Sequence, residues 1–183
     1  MSLFEQLRSI VGKKKDAKEN PGIAPIPDAS LAEATEAPDR RQRERTNARE
    51  GTRVLIIDDS PTIVAALRKI LRSAKYEVIE ADDAETGLEL ARSAQPELIF
   101  LDIVLPAMNG FAALRIMRKD PALTQIPVIM ISGNEQATEE FYANRIGADD
   151  FMKKPFNRYE VFARVERLLD DARVPRRRQA AEA

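Results

Sequence analysis

Four short apolar runs, each ending on polar or charged residues, constrain the fold of this chain more than any other feature. The runs and the residues that follow them are VLII before Asp58 and Asp59, LIFL before Asp102, VIMI before Ser132, and FM before Lys153, Lys154 and Pro155. Continuous apolar runs of this length are typical of strands buried on both faces of a parallel sheet. In open α/β sheets the ligand crevice lies at the carboxyl ends of the strands. The pattern therefore predicts one site, rich in acids, at one edge of such a sheet.

Composition excludes several classes of function. The 183 residues include no Cys and no His, so the chain has no disulfide, no thiolate or imidazole metal ligand and no Ser-His triad. A formal net charge of -1 does not favour nucleic acid or an anionic membrane as a partner. No apolar run approaches the roughly 20 residues that span a bilayer, and the N-terminus lacks a signal-peptide pattern. We expect a cytoplasmic protein without an integral membrane segment.

Composition along the chain predicts four segments. Residues 1–12 carry apolar side chains at helical spacing and predict a short amphipathic helix. Residues 13–52 contain too few large apolar residues to offset the entropy of ordering, so we expect a disordered linker. Residues 53–171 form the ordered domain. Residues 172–183 are polar and include RRR at 176–178, and we interpret them as a disordered, solvated tail rather than a DNA-binding segment.

Strands and helices alternate along the ordered domain. The predicted strands cover residues 53–58, 76–80, 97–102, 127–132 and 149–152. The predicted helices cover 61 to about 73, 83–94, 110 to about 119, 134–145, and the segment from a cap at Asn157 to about Asp171. This alternation predicts an α/β fold with a doubly wound, five-stranded parallel sheet.

The three acids at the predicted edge allow two interpretations. An acid that follows a strand is common in α/β proteins as a cap for the next helix. The alternative is a Mg²⁺ site formed by Asp58, Asp59 and Asp102, because Mg²⁺ takes oxygen ligands and uses one or two carboxylates. In that case Asp102 binds the ion through one oxygen and attacks phosphorus with the other. Repulsion among the carboxylates raises some pKa values, and the ion and Lys154 offset it.

Ser132 and Lys154 also allow two interpretations each. Ser132 is either a cap for the following helix or a hydroxyl that hydrogen-bonds a phosphoryl oxygen. Lys154 is either a surface lysine before a turn or the ammonium that pairs with a transferring phosphoryl group. A cis bond between Lys154 and Pro155 is a further expectation, since proline makes the cis form accessible. A carboxylate nucleophile needs no general base, so the lack of His does not argue against phosphoryl transfer.

Residues 53–170 resemble the receiver domain of two-component response regulators. The resemblance rests on four motifs in family order: LIIDDS at 55–60, LDIVLPAMNG at 101–110, ISGN at 131–134 and KPF at 154–156. It implies a flavodoxin-like fold with Asp102 as the phosphorylated residue.

The resemblance also assigns roles to the neighbouring residues. It implies that Asp58, Asp59, Asp102 and the backbone carbonyl of Val104 hold Mg²⁺, that Ser132 is the switch hydroxyl, and that Lys154 is the site lysine. Phe151 matches the switch aromatic, which is often Tyr in the family; the alternative is a plain core residue. Without a hydroxyl, Phe151 retains only an apolar swing. Val104 and Asn134 flank the phosphoryl group and are expected to tune its lifetime.

The function that the resemblance implies is phosphorylation-switched signalling. A sensor histidine kinase supplies the phosphoryl group, and the output is a protein–protein contact through the fourth helix, fifth strand and fifth helix. We expect this face to include Tyr142, Phe151, Tyr159 and Phe162. The segment after the last helix is too short for a DNA-binding or catalytic domain, so we expect a stand-alone regulator. The segments LDIVLPAMNGFAALR, ISGNEQATE and FMKKPF are similar to those of single-domain regulators of chemotaxis and twitching motility. Homodimerisation on phosphorylation is left open.

Three alternatives compete with this interpretation. Phosphatases of the haloacid dehalogenase type also use an Asp nucleophile but need a second Asp two residues later, where this chain has Val104. A pseudo-receiver that acts only as a scaffold is expected to lose site residues, and none is lost. A phosphate sink for a shared kinase uses the same chemistry and stays open. In all but the first, the chain is no enzyme beyond its own phosphorylation and autodephosphorylation.

The N-terminal segment has three interpretations of its own. Its apolar stripe, followed by lysines at 13–15, allows weak contact with an anionic membrane, docking on a partner, or folding back on the receiver. We favour a tethered docking peptide, to which the linker gives reach.

Overall fold

The structure of the protein, a computed structural model, describes residues 45–133 and 137–177. The strands within these residues are β1 (Arg53–Ile57), β2 (Glu77–Ala81), β3 (Leu98–Asp102), β4 (Val128–Ser132) and β5 (Asp150–Lys153). The helices are α1 (Pro61–Arg72), α2 (Ala84–Ala94), α3 (Gly110–Lys119), α4 (Ala137–Arg145) and α5 (Arg158–Arg167). The predicted alternation of strands and helices is confirmed.

All strands pair in parallel in the order β2-β1-β3-β4-β5. Side chains alternate between two cores because successive residues of a strand point to opposite faces. Leu55 and Ile57 pack with α2, α3 and α4, whereas Val54 and Ile56 pack with α1 and α5. Every residue of the central strands β3 and β4 is buried, which explains their continuous apolar sequences. The doubly wound, flavodoxin-like sheet predicted from the sequence is confirmed.

The last helix ends earlier than predicted. Asn157 caps α5 as expected, its side chain accepting a hydrogen bond of 3.0 Å from the backbone N–H of Glu160. The helix stops at Arg167 rather than near Asp171, because the chain then turns back on itself. The N–H of Arg176 donates to the carbonyl of Leu168 at 2.7 Å, and Leu169 forms a bridge with Pro175.

The segment after α5 is folded, so the expectation of a disordered tail from residue 172 is wrong for residues 172–177. We call residues 169–177 the strap. Asp170 holds its turn by accepting hydrogen bonds from the N–H of Val174 and the side chain of Arg176. Pro175 is buried, and Arg177 reaches the base of the sheet. Local hydrogen bonds and one buried proline order a segment that contains few large apolar residues.

The segment before β1 is folded as well, which corrects the predicted linker boundary at residue 52. Ala48 is buried, and its N–H donates to the hydroxyl of Tyr76 at 2.8 Å. Thr52 is buried and its hydroxyl donates to the carbonyl of Arg49. The guanidinium of Arg45 lies 3.9 Å from the centre of the Phe162 ring. The hydrogen bond from Ala48 to Tyr76 and the contact of Arg45 with Phe162 order this segment, and composition alone does not reveal them.

Several predictions fall on residues outside the described part of the chain. These are the helix at 1–12, the linker from 13 to 44 and the end of the tail from 178. Among the described residues, no helix is both long and apolar enough to cross a membrane.

Candidate functional site

Two adjacent strands bring the three predicted acids together. Ile57 of β1 is paired with Leu101 of β3, so Asp58 and Asp102 leave the sheet side by side. Carboxylate oxygens of Asp58, Asp59 and Asp102 all lie within 4.8 Å of one another. Asp58 and Asp102 are buried, whereas Asp59 is exposed. The interpretation of these residues as mere helix caps does not explain this convergence.

Lys154 lies between the two buried acids. Its Nζ atom is 2.8 Å from Oδ2 of Asp58 and 2.9 Å from Oδ2 of Asp102. The loop that carries Lys154 is fixed by its backbone, because the N–H of Lys154 donates to the carbonyl of Ser132 at 2.7 Å. The bond between Lys154 and Pro155 is cis. One ammonium group thus contacts carboxylates from β3 and from the loop after β1.

The charges at this site shift one another's protonation equilibria. Burial raises the pKa of Asp102 above its ordinary value, and the charge of Asp58 adds to the rise, while Lys154 opposes it without cancelling it. Burial by itself lowers the pKa of Lys154, but hydrogen bonds to Asp58 and Asp102 outweigh burial, and the pKa is raised. The negative charge of Asp102 is therefore incompletely compensated in this site.

One oxygen at the site has no compensating group. Within the described residues, Oδ1 of Asp102 is buried and has no hydrogen-bond partner of normal geometry. Asp58 is oriented by the N–H of Ser60, which donates to its Oδ1 at 2.9 Å. A buried carboxylate oxygen without a donor, beside two further carboxylates, fits an oxygen-liganded divalent cation. The donor set therefore fits Mg²⁺.

Gly110 allows α3 to begin directly beside the end of β3, a role that the sequence did not indicate. Its N–H donates to the carbonyl of Ile103 at 2.9 Å, and α3 begins directly under the end of β3. A Cβ atom at residue 110 would overlap the carbonyl oxygen of Asp102. Only glycine allows α3 to start so close to Asp102.

A cleft of about 280 Å³ opens beside the acids. Its walls come from the loops after β1 and β2 and from the first turn of α1, and they include Asp59, Val64, Glu80 and Asp82. The carboxylate group is therefore reachable from the α1 side.

The remaining predicted site residues lie around this group. Ser132 is buried at the end of β4, beside Lys153 of β5. Phe151 is 3% exposed and packs in the same core as Ala143 of α4. Val104 lies two residues beyond Asp102 and is 67% exposed. Asn134 lies outside the described residues.

The expected output face is only partly formed by the predicted residues. Tyr159 is 76% exposed, as an interaction residue should be. Phe162 is wrong for this face, because it is buried on the α1 side and packs edge-on against Tyr76. Tyr142 is half-buried and packs edge-on against Phe111 of α3. The sequence did not point to Phe141 on α4, which is 67% exposed.

Comparison with known proteins agrees with this geometry. A sequence profile of the response regulator receiver domain matches residues 54–166. Protein PilH of Pseudomonas aeruginosa is 35% identical over 117 residues, which cover 64% of this chain and 97% of that protein. A solved structure of the chemotaxis protein CheY4 of Vibrio cholerae superimposes with a TM-score of 0.61 at 28% identity, covering 64% of this chain and 98% of that one.

Other relatives are longer. The DNA-binding transcriptional regulator RpaA of Synechocystis is 40% identical over 130 residues, which cover 71% of this chain and 53% of that protein. The regulatory protein PhoP of Bacillus subtilis is 34% identical, with 64% of this chain and 48% of that protein covered. The match spans about half the length of these two relatives.

Proposed function

Because this chain belongs to the family of response regulator receiver domains, whose members are switched by phosphorylation, we propose that Asp102 is its phosphoacceptor. The observation that supports this assignment most directly is the position of Asp102, buried beside Asp58 and Asp59 with its Oδ2 2.9 Å from Nζ of Lys154. The domain carries out covalent chemistry only on itself, in phosphorylation and autodephosphorylation.

The transfer needs little beyond positioning and charge neutralisation. One carboxylate oxygen of Asp102 attacks the phosphorus of a phosphohistidine on a sensor kinase. The phosphorus–nitrogen bond breaks, and the imidazole leaves with its electron pair and takes up a proton. Lys154 neutralises part of the negative charge, and Ser132, at the end of the adjacent strand, donates its hydroxyl to a phosphoryl oxygen. Water later hydrolyses the acyl phosphate.

Mg²⁺ is the cofactor that the donor set fits. The clustered acids Asp58, Asp59 and Asp102 would hold it. The family resemblance adds the backbone carbonyl of Val104 as a further ligand. When bound, it would neutralise charge on the transferring phosphoryl group. The backbone N–H of Ser60 fixes the orientation of the Asp58 carboxylate. Asp59 is exposed and lies on the solvent side of the three acids.

The switch that follows phosphorylation involves Ser132, Lys154 and Phe151. A backbone hydrogen bond joins Lys154 to Ser132. A phosphoryl group that contacts both side chains therefore shifts the ends of β4 and β5 together. Phe151 lies in β5 against α4, where such a movement alters its packing. The output is a contact with a downstream protein through α4, β5 and α5, where Phe141 and Tyr159 are exposed.

The relatives also bear on the pathway. The match to PilH covers nearly all of that protein, which supports a single-domain regulator of the chemotaxis and twitching-motility type. We infer that it acts in the cytoplasm. Phosphorylation-driven dimerisation and the predicted helix and linker within residues 1–44 stay predictions.

Intact mass after incubation with Mg²⁺ and acetyl phosphate tests this function. We expect one phosphoryl group on the wild type, none on Asp102→Asn, and loss of the adduct signal when Mg²⁺ is chelated beforehand. Asp82→Asn is the matched control, because Asp82 is an exposed acid at the same edge of the sheet that is not one of the three clustered acids. It should be phosphorylated like the wild type.

Absence of an adduct on the wild type, together with failure to bind beryllofluoride, would contradict the assignment and leave a pseudo-receiver scaffold. Phosphorylation of Asp102→Asn would place the acceptor on another residue.

A further inference from the structure

The strap ends in a niche at the base of the domain, opposite the acids. Arg177 donates through Nε to Oδ1 of Asp149 at 3.1 Å and through Nη1 to the carbonyl of Thr124 at 3.0 Å. Its Nη2 lies 3.4 Å from the carbonyl of Gly147. These acceptors come from the loop before β4 and the turn between α4 and β5. Arg177 lies beyond residues 54–166, the range that matches the family.

Asp149 makes the niche specific for a cation. Its side chain is 1% exposed, and its Oδ2 accepts from the N–H of Val128 at 2.9 Å. A carboxylate buried to this degree requires partners. The niche offers one carboxylate and two carbonyl oxygens, and three nitrogens of one planar group approach them. This arrangement suits a guanidinium, whose donors are spread over a planar fork, better than a single ammonium.

A second, more deeply buried arginine lines the niche. Arg118 of α3 is 11% exposed; it donates to Gly147 at 2.7 Å, to Ile126 at 3.0 Å and to Oδ2 of Asp149 at 2.8 Å. Burial lowers the pKa of Arg118 to about 10, with Asp149 opposing and Arg177 adding to this effect. Arg118 and Asp149 already neutralise each other, so Arg177 adds an excess positive charge.

Because of this charge balance, Arg177 can leave Asp149 at a lower cost than Arg118 can. Its side chain is 24% exposed, more than that of Arg118, and its docking is opposed by repulsion from Arg118. Without Arg177, Asp149 keeps Arg118 and the N–H of Val128, so the domain retains a closed pair.

We propose that the base of this domain contains a guanidinium-binding site, formed by Asp149 with the carbonyls of Thr124 and Gly147, which Arg177 occupies as an intramolecular ligand. Filling the site ties the strap to the turn between α4 and β5. Emptying it loosens that turn, whose amides of Ala148 and Asp149 bond to Ala143 and Val128. The site is separate from the proposed phosphorylation chemistry and does not depend on it.

Chemical rescue tests the proposal in the full chain. Arg177→Ala removes the part of the side chain that ethylguanidinium replaces. We expect exchange of the Ala148 and Asp149 amides to rise about ten- to hundredfold in this variant, the effect of losing charge-assisted hydrogen bonds. Added ethylguanidinium, well below denaturing concentrations, should return exchange towards the wild-type rate in a saturable manner. Hydrogen exchange with mass detection gives both rates.

The controls separate a site from general stability. Ethylammonium, with equal charge but no fork, should not rescue Arg177→Ala. Arg173→Ala, which removes an exposed arginine of the same strap outside the niche, should neither loosen the turn between α4 and β5 nor respond to ethylguanidinium. Unchanged exchange in Arg177→Ala, or equal rescue by both cations, would overturn the proposal.

Discussion

The Nζ atom of Lys154 lies 2.9 Å from Oδ2 of Asp102, a residue 52 positions earlier in the chain. The contact exists because the ends of β3 and β5 meet at one edge of the sheet, on either side of β4. The same ammonium contacts Asp58, so its removal leaves two buried carboxylates facing each other. Stability and function at this edge therefore depend on the same few charges.

Lys154→Met should destabilise the domain at neutral pH by about 3 kcal/mol, because breaking a buried ion pair leaves uncompensated charge. The pKa of Lys154 is raised above its ordinary value of 10.5. Its stabilising contribution is therefore complete below about pH 10.5 and is lost as the pH rises through the folded-state pKa. Urea unfolding of both proteins at several pH values measures the difference.

Lys153→Met is the matched control for this variant, since Lys153 is exposed and adjacent in sequence. It should change the free energy of unfolding by less than about 0.5 kcal/mol. Adding Asp102→Asn to Lys154→Met should recover part of the loss. Equal effects of the two lysine substitutions would show that the ion pairs contribute nothing.

Asp102→Asn should stabilise the metal-free protein at neutral pH. The pKa of Asp102 is raised by burial, so the folded state binds its proton more tightly than the unfolded state does. Stability thus falls as the pH rises from the ordinary pKa of 3.8 to the folded-state pKa, and the full penalty persists above it. The variant should gain about 2–5 °C in Tm at pH 7 in the presence of a chelator.

The advantage of Asp102→Asn should vanish below about pH 4, where the wild-type carboxyl is protonated in both states. Asp83→Ala should change stability in the opposite direction, lowering the Tm at neutral pH. The pKa of Asp83 is lowered by its hydrogen bonds to Thr86, so its contribution is present at neutral pH and is lost on acidification. A Tm advantage of Asp102→Asn that is independent of pH would mean that its charge carries no penalty.

Continuous apolar runs predicted the centre of the fold because burial on both faces leaves a clear sequence signal. β3 and β4 were located to within one residue, and Asp58 and Asp102 meet because parallel strands end at one edge. Convergence of the acids follows from topology, which alternation of strands and helices already implies.

Contacts that depend on individual hydrogen bonds leave no comparable signal in the sequence. The buried Ala48 and the strap that ends on Arg177 belong to segments that composition describes as linker and tail. Their order comes from specific hydrogen bonds and packing contacts, among them those to Tyr76 and Asp149, and residue periodicity does not report such contacts. Phe162 was misplaced because helical spacing does not say which neighbour covers a helix face.

Gly110→Ala should destabilise the protein by more than about 3 kcal/mol, because the added Cβ would overlap backbone rather than a flexible side chain. Relief requires α3 to move away from the end of β3, which also displaces Asp102. We therefore expect slower labelling by acetyl phosphate in whatever fraction stays folded. Gly133→Ala is the control, since a Cβ there meets no atom within 4 Å. A similar loss in both variants would point to a general effect of glycine replacement.

Tyr76→Phe should release the segment before β1. The hydroxyl of Tyr76 accepts a hydrogen bond from the buried N–H of Ala48, so its removal leaves that donor unsatisfied at a cost of about 1–2 kcal/mol. Hydrogen exchange of residues 46–52 should accelerate, while exchange in β3 changes only with global stability. Tyr159→Phe, at an exposed tyrosine, should alter neither quantity. Unchanged exchange at 46–52 in Tyr76→Phe would mean that Arg45 on Phe162 suffices to hold the segment.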